Sequence, residues 1–170
     1  VPGYYYRYTE GGDLANGTGV GNDTASERQM MHKLIVDSVS YWAKEYHWDG
    51  FRFDLMGIHD VKTMNAVKQA TKRIDPSILV FGEGWSLGTP LPETDKANQT
   101  NTKQMPGIGH FNDNLRDALK GSVFIDSDAG FINGTTGLET RIKRGIVGEI
   151  AYDKEIQGFT QEPDQAITYV

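Results

Sequence analysis

The sequence has no cysteine among its 170 residues, so it contains no disulfide framework and no cysteine-ligated metal site. That absence leaves the cellular compartment undecided. No apolar run approaches the roughly 20 residues that a membrane span requires. Acidic residues outnumber basic ones, 23 to 17, which gives a net charge of −6. Because nucleic-acid binding usually shows as a basic patch, we expect neither nucleic acid nor a membrane as a partner.

Residues 49–57 (DGFRFDLMG) carry the alternation of a β-strand, in which successive side chains point to opposite faces. One face would present Phe51, Phe53 and Leu55, and the other Arg52, Asp54 and Met56. Burying an unpaired charge is costly, so a charged pair opposite an apolar face indicates a purpose. This arrangement is typical of a barrel strand whose apolar face meets an outer helix and whose polar face lines the barrel mouth.

A second strand is predicted at residues 78–83 (ILVFGE), where a continuous hydrophobic run indicates burial on both faces. It ends in Glu83, which has a glycine on each side, and Trp85 comes two residues later. One predicted helix separates the two strands, and a βαβ unit makes its strands parallel. Asp54 and Glu83 would then reach the same carboxyl edge, where the catalytic groups of (β/α)₈ barrels gather.

Two helices are predicted from capping signals and apolar spacing. Residues 24–27 (TASE) have the spacing of a capping box with Thr24 as N-cap, which predicts a helix to about Tyr46. Its apolar face comprises Met31, Ile35, Val39, Trp42 and Tyr46, so we expect Trp42 to be a core residue. The second helix spans about residues 61–74 and ends at Asp75, because the residue before a proline disfavours helix.

The remaining segments continue the alternation of strands and helices. We predict a third strand at residues 108–112, helices at about 113–119 and 138–147, and the start of a further strand at Ala166. This order indicates an α/β fold with a parallel sheet. The tyrosine-rich loop at residues 1–23 is either a sugar platform or a loop pinned by its aromatic side chains. The polar loop at residues 86–107 is either substrate-facing or partly mobile.

The chain has room for one domain with a sizeable core. A complete (β/α)₈ barrel needs roughly 250 residues, so 170 residues supply only part of one. We therefore expect residues 1–170 to be an internal fragment of a single catalytic barrel domain. Because half a barrel exposes strand edges and apolar surface, we expect the isolated chain to be inactive and poorly folded.

Five motifs now point to a family. Residues 50–54 (GFRFD) and 82–85 (GEGW) resemble signature regions of the α-amylase superfamily of glycoside hydrolases. Residues 21–28 (GNDTASER), 54–57 (DLMG) and 109–118 (GHFNDNLRDA) resemble bacterial type I pullulanases. The resemblance covers essentially the whole chain. It implies the middle of a catalytic (β/α)₈ TIM barrel, with strands four to six present and the seventh begun at the C-terminus.

The same resemblance implies roles for individual residues. Asp54 matches the family's nucleophile, Glu83 its general acid/base, and Arg52 the arginine beneath the nucleophile. Positions that shape the sugar subsites are matched by Leu55, Met56 and Trp85. The implied activity is retaining hydrolysis of α-1,6-glucosidic linkages in pullulan and branched α-glucans, with an α-glucan as partner and no cofactor. The family's third catalytic carboxylate would lie beyond Val170.

Each candidate site residue also has a structural interpretation. Asp54 and Arg52 would form an ion pair inside a barrel, and Glu83 would be a helix N-cap or turn carboxylate. Further substrate-binding candidates near the third strand are His110, Asn112 and Asp113. A core histidine explains His110 at least as well, and an i, i+3 pair with Arg116 explains Asp113. Calcium occurs in the superfamily, but no residue pattern here marks a metal site.

Three functions remain open from the sequence. The first is a debranching glycosidase, the second a non-catalytic α-glucan-binding module, and the third a branching transglycosylase of the same superfamily. Residues 55–57 and 110–118 favour the first over the third. Release of reducing sugar from pullulan separates the first from both others. A secreted or cell-surface location in a bacterium is favoured, and a cytoplasmic one stays open.

Overall fold

The computed structural model describes residues 3–158, which fall into two compact units. The first unit ends at Ile108 and the second begins at Gly109. No helix within residues 3–158 is long and apolar enough to cross a membrane.

The first unit is built on a βαβ motif. Helix α1 (Gln29–Tyr46) precedes strand β1 (Gly50–Phe53), and helix α2 (Val61–Ile74) connects β1 to strand β2 (Leu79–Gly82). The two strands are parallel, and their register runs from Gly50 opposite Leu79 to Phe53 opposite Gly82. The predicted parallel βαβ unit is confirmed, and α2 has the predicted bounds.

The start of α1 differs from the prediction. The helix begins at Gln29, and its N-cap Arg28 makes no capping side-chain hydrogen bond. Thr24 instead places its Oγ1 atom 3.2 Å from Nε2 of His59, and Glu27 forms a 2.8 Å ion pair with Arg7. The predicted capping box is therefore wrong, because tertiary contacts take up both of its side chains.

One hydrophobic core lies between the two helices and the strands. Met31, Val39 and Ala43 of α1 are buried, and the core cluster comprises Val39, Ala43, Phe51, Met56, Met64, Val67, Ile78, Val80, Ala97, Met105 and Ile108. Trp42 packs against this cluster as predicted and stacks on Trp48 at 4.9 Å. Two predictions of burial are wrong: Tyr46 is 55% exposed, and Leu79 is 53% exposed. At its start, strand β2 is therefore covered on one face and exposed on the other.

The two long loops are held by buried polar side chains. Arg7 is 4% exposed and donates to Glu27 and to Oγ1 of Thr89 at 2.7 Å, which ties the first loop to the second. Lys96 is buried, donates to the carbonyl of Leu87 at 2.7 Å and pairs with Glu93. Short 3₁₀ helices occupy Glu93–Asp95 and Gln99–Gln104, and Ala97 and Met105 join the core. The loop at residues 86–107 is thus packed against the body of its unit.

The second unit contains a short strand and two helices. Strand β3 is Gly109–His110, helix α3 is Asp113–Lys120, and helix α4 is Glu139–Ile146. These bounds agree with the predicted elements to within a few residues. Gly145 of α4 approaches Leu115 of α3 so closely that a Cβ atom at position 145 would lie 2.5 Å from the Leu115 Cβ. The strand predicted at Ala166 lies outside the described residues.

Truncation of the fully buried Met64 in the core tests the packing between α2 and the strands. Met64→Ala should lower the free energy of unfolding by about 2 to 4 kcal/mol, because it removes apolar contacts and leaves a cavity. Leu34→Ala on the exposed face of α1 is the matched control and should cost well under about 1 kcal/mol. Denaturant unfolding of the protein that carries this segment measures both, and similar losses would contradict the core assignment.

Candidate active site

Two carboxylates follow the last paired residues of the parallel strands. Phe53 and Gly82 form the final register pair, so Asp54 and Glu83 come next on adjacent strands. The backbone N–H of Glu83 donates to the carbonyl of Phe53 at 3.0 Å, which extends the ladder to this point. Because neighbouring parallel strands end at a common edge, both acids project from the same edge of the sheet.

The guanidinium of Arg52 contacts both carboxylates. Its Nη1 donates to Oδ1 of Asp54 at 2.6 Å, and its Nη2 donates to Oε1 of Glu83 at 2.8 Å. Since both nitrogens belong to one rigid planar group, these oxygens are at most about 8 Å apart. Asp54 is 72% exposed, Arg52 42% and Glu83 20%. The arrangement is a carboxylate pair in which Glu83 is the more enclosed member.

The chain leaves β1 in a tight turn that returns to Glu83. Leu55 has left-handed backbone angles, φ 45° and ψ 44°, and a 3₁₀ helix follows at Met56–Ile58. The Leu55 N–H donates to Oε2 of Glu83 at 2.8 Å. The expected strand therefore stops before Asp54, and the placement of Met56 on the polar face is wrong. Met56 is fully buried in the core, because the turn rotates its side chain inward.

The other candidates fall into two groups. Trp85 and Leu55 beside the carboxylates, and Asp113 in the first turn of α3, keep part of their surface exposed. His110 and Asn112 of the second unit are 0% and 2% exposed. Asn112 caps α3 by accepting from the Leu115 N–H at 2.9 Å. The pKa of Arg116 is raised, first by its 2.7 Å hydrogen bond to Asp117 and also by the charge of Asp113, in line with the expected electrostatic pairing of Asp113 and Arg116.

Sequence reasoning missed the backbone donors around Glu83. Gly57 donates its N–H to the Glu83 carbonyl at 3.0 Å, and its Cα lies against the backbone of Trp85. The only sequence signal was Gly57 itself, a glycine at the end of the stretch predicted as a strand, residues 49–57. A glycine in such a place often marks a close backbone approach.

Sequence reasoning also missed a buried polar network at Asp60, shortly after the same turn. Asp60 caps α2 through Thr63 and accepts from Oγ of Ser26 at 2.6 Å. Burial acts to raise the pKa of Asp60, but the hydrogen bonds from Ser26 and Thr63 outweigh it and lower the pKa. An open cleft of about 720 Å³ lies beside this network, and no Tyr, Trp or Phe is among the described residues that line it. It therefore offers no aromatic surface for a sugar ring.

No group of three or more His, Asp or Glu side chains within residues 3–158 is placed to hold a metal ion. The carboxylate pair at residues 54 and 83 is bridged by arginine instead. This donor set suits acid–base and nucleophilic chemistry on a bond held between two carboxyl groups.

His110 provides a pH test of burial. Desolvation lowers its pKa from 6.5 to about 4, and its ring nitrogens have no hydrogen-bond partner among the described residues. The stability that neutral His110 provides is complete above pH 6.5 and is lost as the pH falls towards 4, because the unfolded chain takes up the proton first. Between pH 6.5 and 5 the loss should approach about 2 kcal/mol.

The variant His110→Phe should abolish that part of the pH dependence, because phenylalanine keeps a buried ring without a titrating group. Thermal unfolding of both proteins at pH 8, 6.5 and 5 measures the difference. Between pH 8 and 6.5, where His110 is mostly neutral in both states, the two proteins should lose stability equally. An equal loss between pH 6.5 and 5 would contradict the burial of a neutral histidine.

Sequence comparison finds close relatives along the whole chain. All 170 residues align with a pullulanase of Bacillus subtilis at 49% identity and span 24% of that protein. A pullulanase of Klebsiella aerogenes is 40% identical over 127 residues, which are 75% of this chain and 11% of that one. No family model matches the chain.

Structural comparison finds the same kind of protein. The crystal structure of a pullulanase from Paenibacillus barengoltzii, complexed with maltohexaose and α-cyclodextrin, matches 96% of this chain with a TM-score of 0.92 and 50% identity. The match covers 25% of that protein. The chain thus spans between about a tenth and a quarter of the length of the relatives named here.

Proposed function

The chain belongs to the pullulanase family and spans at most about a quarter of the relatives named above, and on that premise we propose that it carries two catalytic carboxylates of a debranching glycosidase. Asp54 is the nucleophile and Glu83 the general acid/base. The reaction is retaining hydrolysis of α-1,6-glucosidic bonds in pullulan and branched α-glucans. The segment forms the middle of a single catalytic (β/α)₈ barrel domain and includes its strands four to six.

The observation that carries this proposal is the bridge from Arg52 to both acids. Retaining glycosidases hold their two carboxyl groups about 5 to 5.5 Å apart, whereas inverting enzymes leave room for a water between them. One guanidinium that contacts both carboxylates keeps the two contacted oxygens within about 8 Å, a range that includes the shorter spacing. It also places a positive charge beside Asp54.

The chemistry proceeds in two steps on these residues. An Asp54 oxygen attacks the anomeric carbon while the glycosidic C–O bond breaks and Glu83 gives its proton to the departing oxygen. Glu83, now a carboxylate, then takes a proton from a water molecule, whose oxygen attacks the anomeric carbon. The bond to Asp54 breaks, the sugar leaves with its configuration retained, and both carboxyl groups return to their starting states.

The substrate proposal rests on the relatives and on the exposed surface. The Paenibacillus protein was crystallised with maltohexaose and α-cyclodextrin, so we assign an α-glucan to this chain. Leu55, Trp85 and Asp113 keep exposed surface for sugar contact. Because Met56, His110 and Asn112 are buried, we assign them no sugar contact. Neither a binding module nor a branching transglycosylase is favoured, because the relatives named above are pullulanases.

Removal of either acid tests the proposal in the intact enzyme. Glu83→Gln should lower turnover of pullulan about 10²- to 10⁴-fold, because general acid–base catalysis contributes that much. Asp54→Asn should lower turnover at least as much, since no covalent intermediate forms. Reducing-sugar release measures both.

The matched control is Asp37→Asn, which removes a surface carboxylate paired with Lys33 and should leave turnover unchanged. Ordinary activity in Asp54→Asn or Glu83→Gln would refute the roles. The 170-residue chain alone should be inactive in the same assay, because the third carboxylate is expected outside it.

Replacement of the bridging arginine by Arg52→Lys should lower kcat for pullulan about 10-fold or more, although the positive charge is kept. Lysine is a point charge and cannot reproduce a planar fork that contacts two carboxylates together. Arg28→Lys, at an exposed arginine 3.9 Å from Glu27, is the control and should leave kcat unchanged. Equal kcat for both variants would show that the fork is dispensable.

A further inference from the structure

Both oxygens of the Glu83 carboxylate already accept a hydrogen bond. Oε1 accepts from Nη2 of Arg52 at 2.8 Å, and Oε2 accepts from the backbone N–H of Leu55 at 2.8 Å. A general acid must carry its proton on an oxygen that faces the departing group. Each oxygen keeps a second lone pair that can hold the proton. Which oxygen presents the proton to the departing group therefore depends on how firmly each donor is held, and the two donors differ in this.

The Leu55 donor is fixed by backbone geometry. Leu55 has φ 45°, a left-handed conformation that leucine rarely adopts, and this conformation aims its N–H at Glu83. On either side of the carboxylate, the Glu83 N–H bonds to the Phe53 carbonyl, and the Gly57 N–H bonds to the Glu83 carbonyl, both at 3.0 Å. The turn and the Glu83 backbone are therefore locked together by three hydrogen bonds.

Gly57 permits this close approach. A Cβ atom at position 57 would lie 1.9 Å from the carbonyl oxygen of Trp85, a distance that no side chain tolerates. Met56 and Ile58 on either side of Gly57 are buried, which anchors the turn in the core. By contrast, Arg52 reaches Oε1 through a long side chain that is 42% exposed.

We propose that the backbone N–H of Leu55 is the positioning group that holds Glu83 Oε2 throughout the reaction, and that Oε1 therefore carries the transferred proton. The proposal rests on the acid/base role of Glu83 proposed above. Leu55 is a positioning residue and not a catalytic one, because its N–H acts on Glu83 and touches no reacting atom. The left-handed strain at Leu55 is the structural cost of this placement.

During the proton transfer, each of these atoms then has a defined role. On substrate binding, Arg52 Nη2 releases Glu83 Oε1 while Nη1 keeps its bond to Asp54 Oδ1. The proton on Oε1 passes to the glycosidic oxygen as the C–O bond breaks, and the electron pair of the O–H bond remains on Glu83. The negative charge that develops is shared with Oε2, where the Leu55 N–H stabilises it without reorganisation.

The test replaces Leu55 in the full-length enzyme by its α-hydroxy analogue through nonsense suppression. This substitution turns the peptide N–H into an ester oxygen and leaves the side chain in place. Two substrates are compared: pullulan, whose leaving oxygen needs a proton, and α-maltotriosyl fluoride, whose fluoride leaves without one. The matched control is the α-hydroxy analogue at Ile58, which removes the N–H bond to the Leu55 carbonyl in the same turn.

We expect the Leu55 ester to lower kcat for pullulan about 10- to 100-fold, which is the usual effect of losing a hydrogen bond to a charged group. Its kcat for the fluoride should stay within about threefold of the parent enzyme, because that substrate does not use the acid. The Ile58 ester should resemble the parent enzyme on both substrates. A loss shared equally by both substrates, or by both esters, would overturn the proposal, and so would an unchanged kcat.

If the ester-containing proteins do not fold, two side-chain variants of Leu55 provide a second test. Leu55→Asn keeps the N–H and suits the left-handed conformation, whereas Leu55→Val disfavours it because valine is β-branched. The ratio of pullulan to fluoride turnover should fall for Leu55→Val and hold for Leu55→Asn, and equal ratios would refute the role. Failure of the function proposed above is distinguishable, because it would appear as ordinary pullulan activity in Glu83→Gln.

Discussion

The contact of one guanidinium with two carboxylates is the constraint on which this site depends. Asp54 and Glu83 directly follow the last register pair of neighbouring strands. Arg52 donates a hydrogen bond to each of them, so one guanidinium holds both carboxyl groups. The parallel register, the length of β1 and the turn after it all place these three side chains within reach of one another.

The turn after β1 connects the core to the site. Met56 is fully buried, and Gly57 lies against the backbone at Trp85, so packing fixes the path of the chain immediately after Asp54. That packing compensates for the left-handed backbone of Leu55. Strain of this kind persists only where the surroundings determine the conformation, and here it directs a backbone donor at Glu83.

The segment before α1 contacts the chain just beyond the same turn. Arg7 and Glu27 form an ion pair in which the arginine is 4% exposed, and such a pair is sensitive to the loss of either partner. Ser26 donates to Asp60, which caps α2 just beyond the turn. The residues that resemble a helix cap in the sequence therefore hold a loop against the segment that follows β1.

The βαβ unit, the bounds of α2 and the position of two acids after paired strands were predictable from local patterns, because hydrophobic periodicity and proline act locally. The start of α1 was not predictable in this way, since Thr24 is engaged by a residue distant in the chain. The burial of Met56 and the left-handed Leu55 were likewise hidden, because a turn's direction depends on what packs against it. The Arg52 bridge needed the strand register as well, since alternation shows which face a side chain takes but not which strand lies beside it.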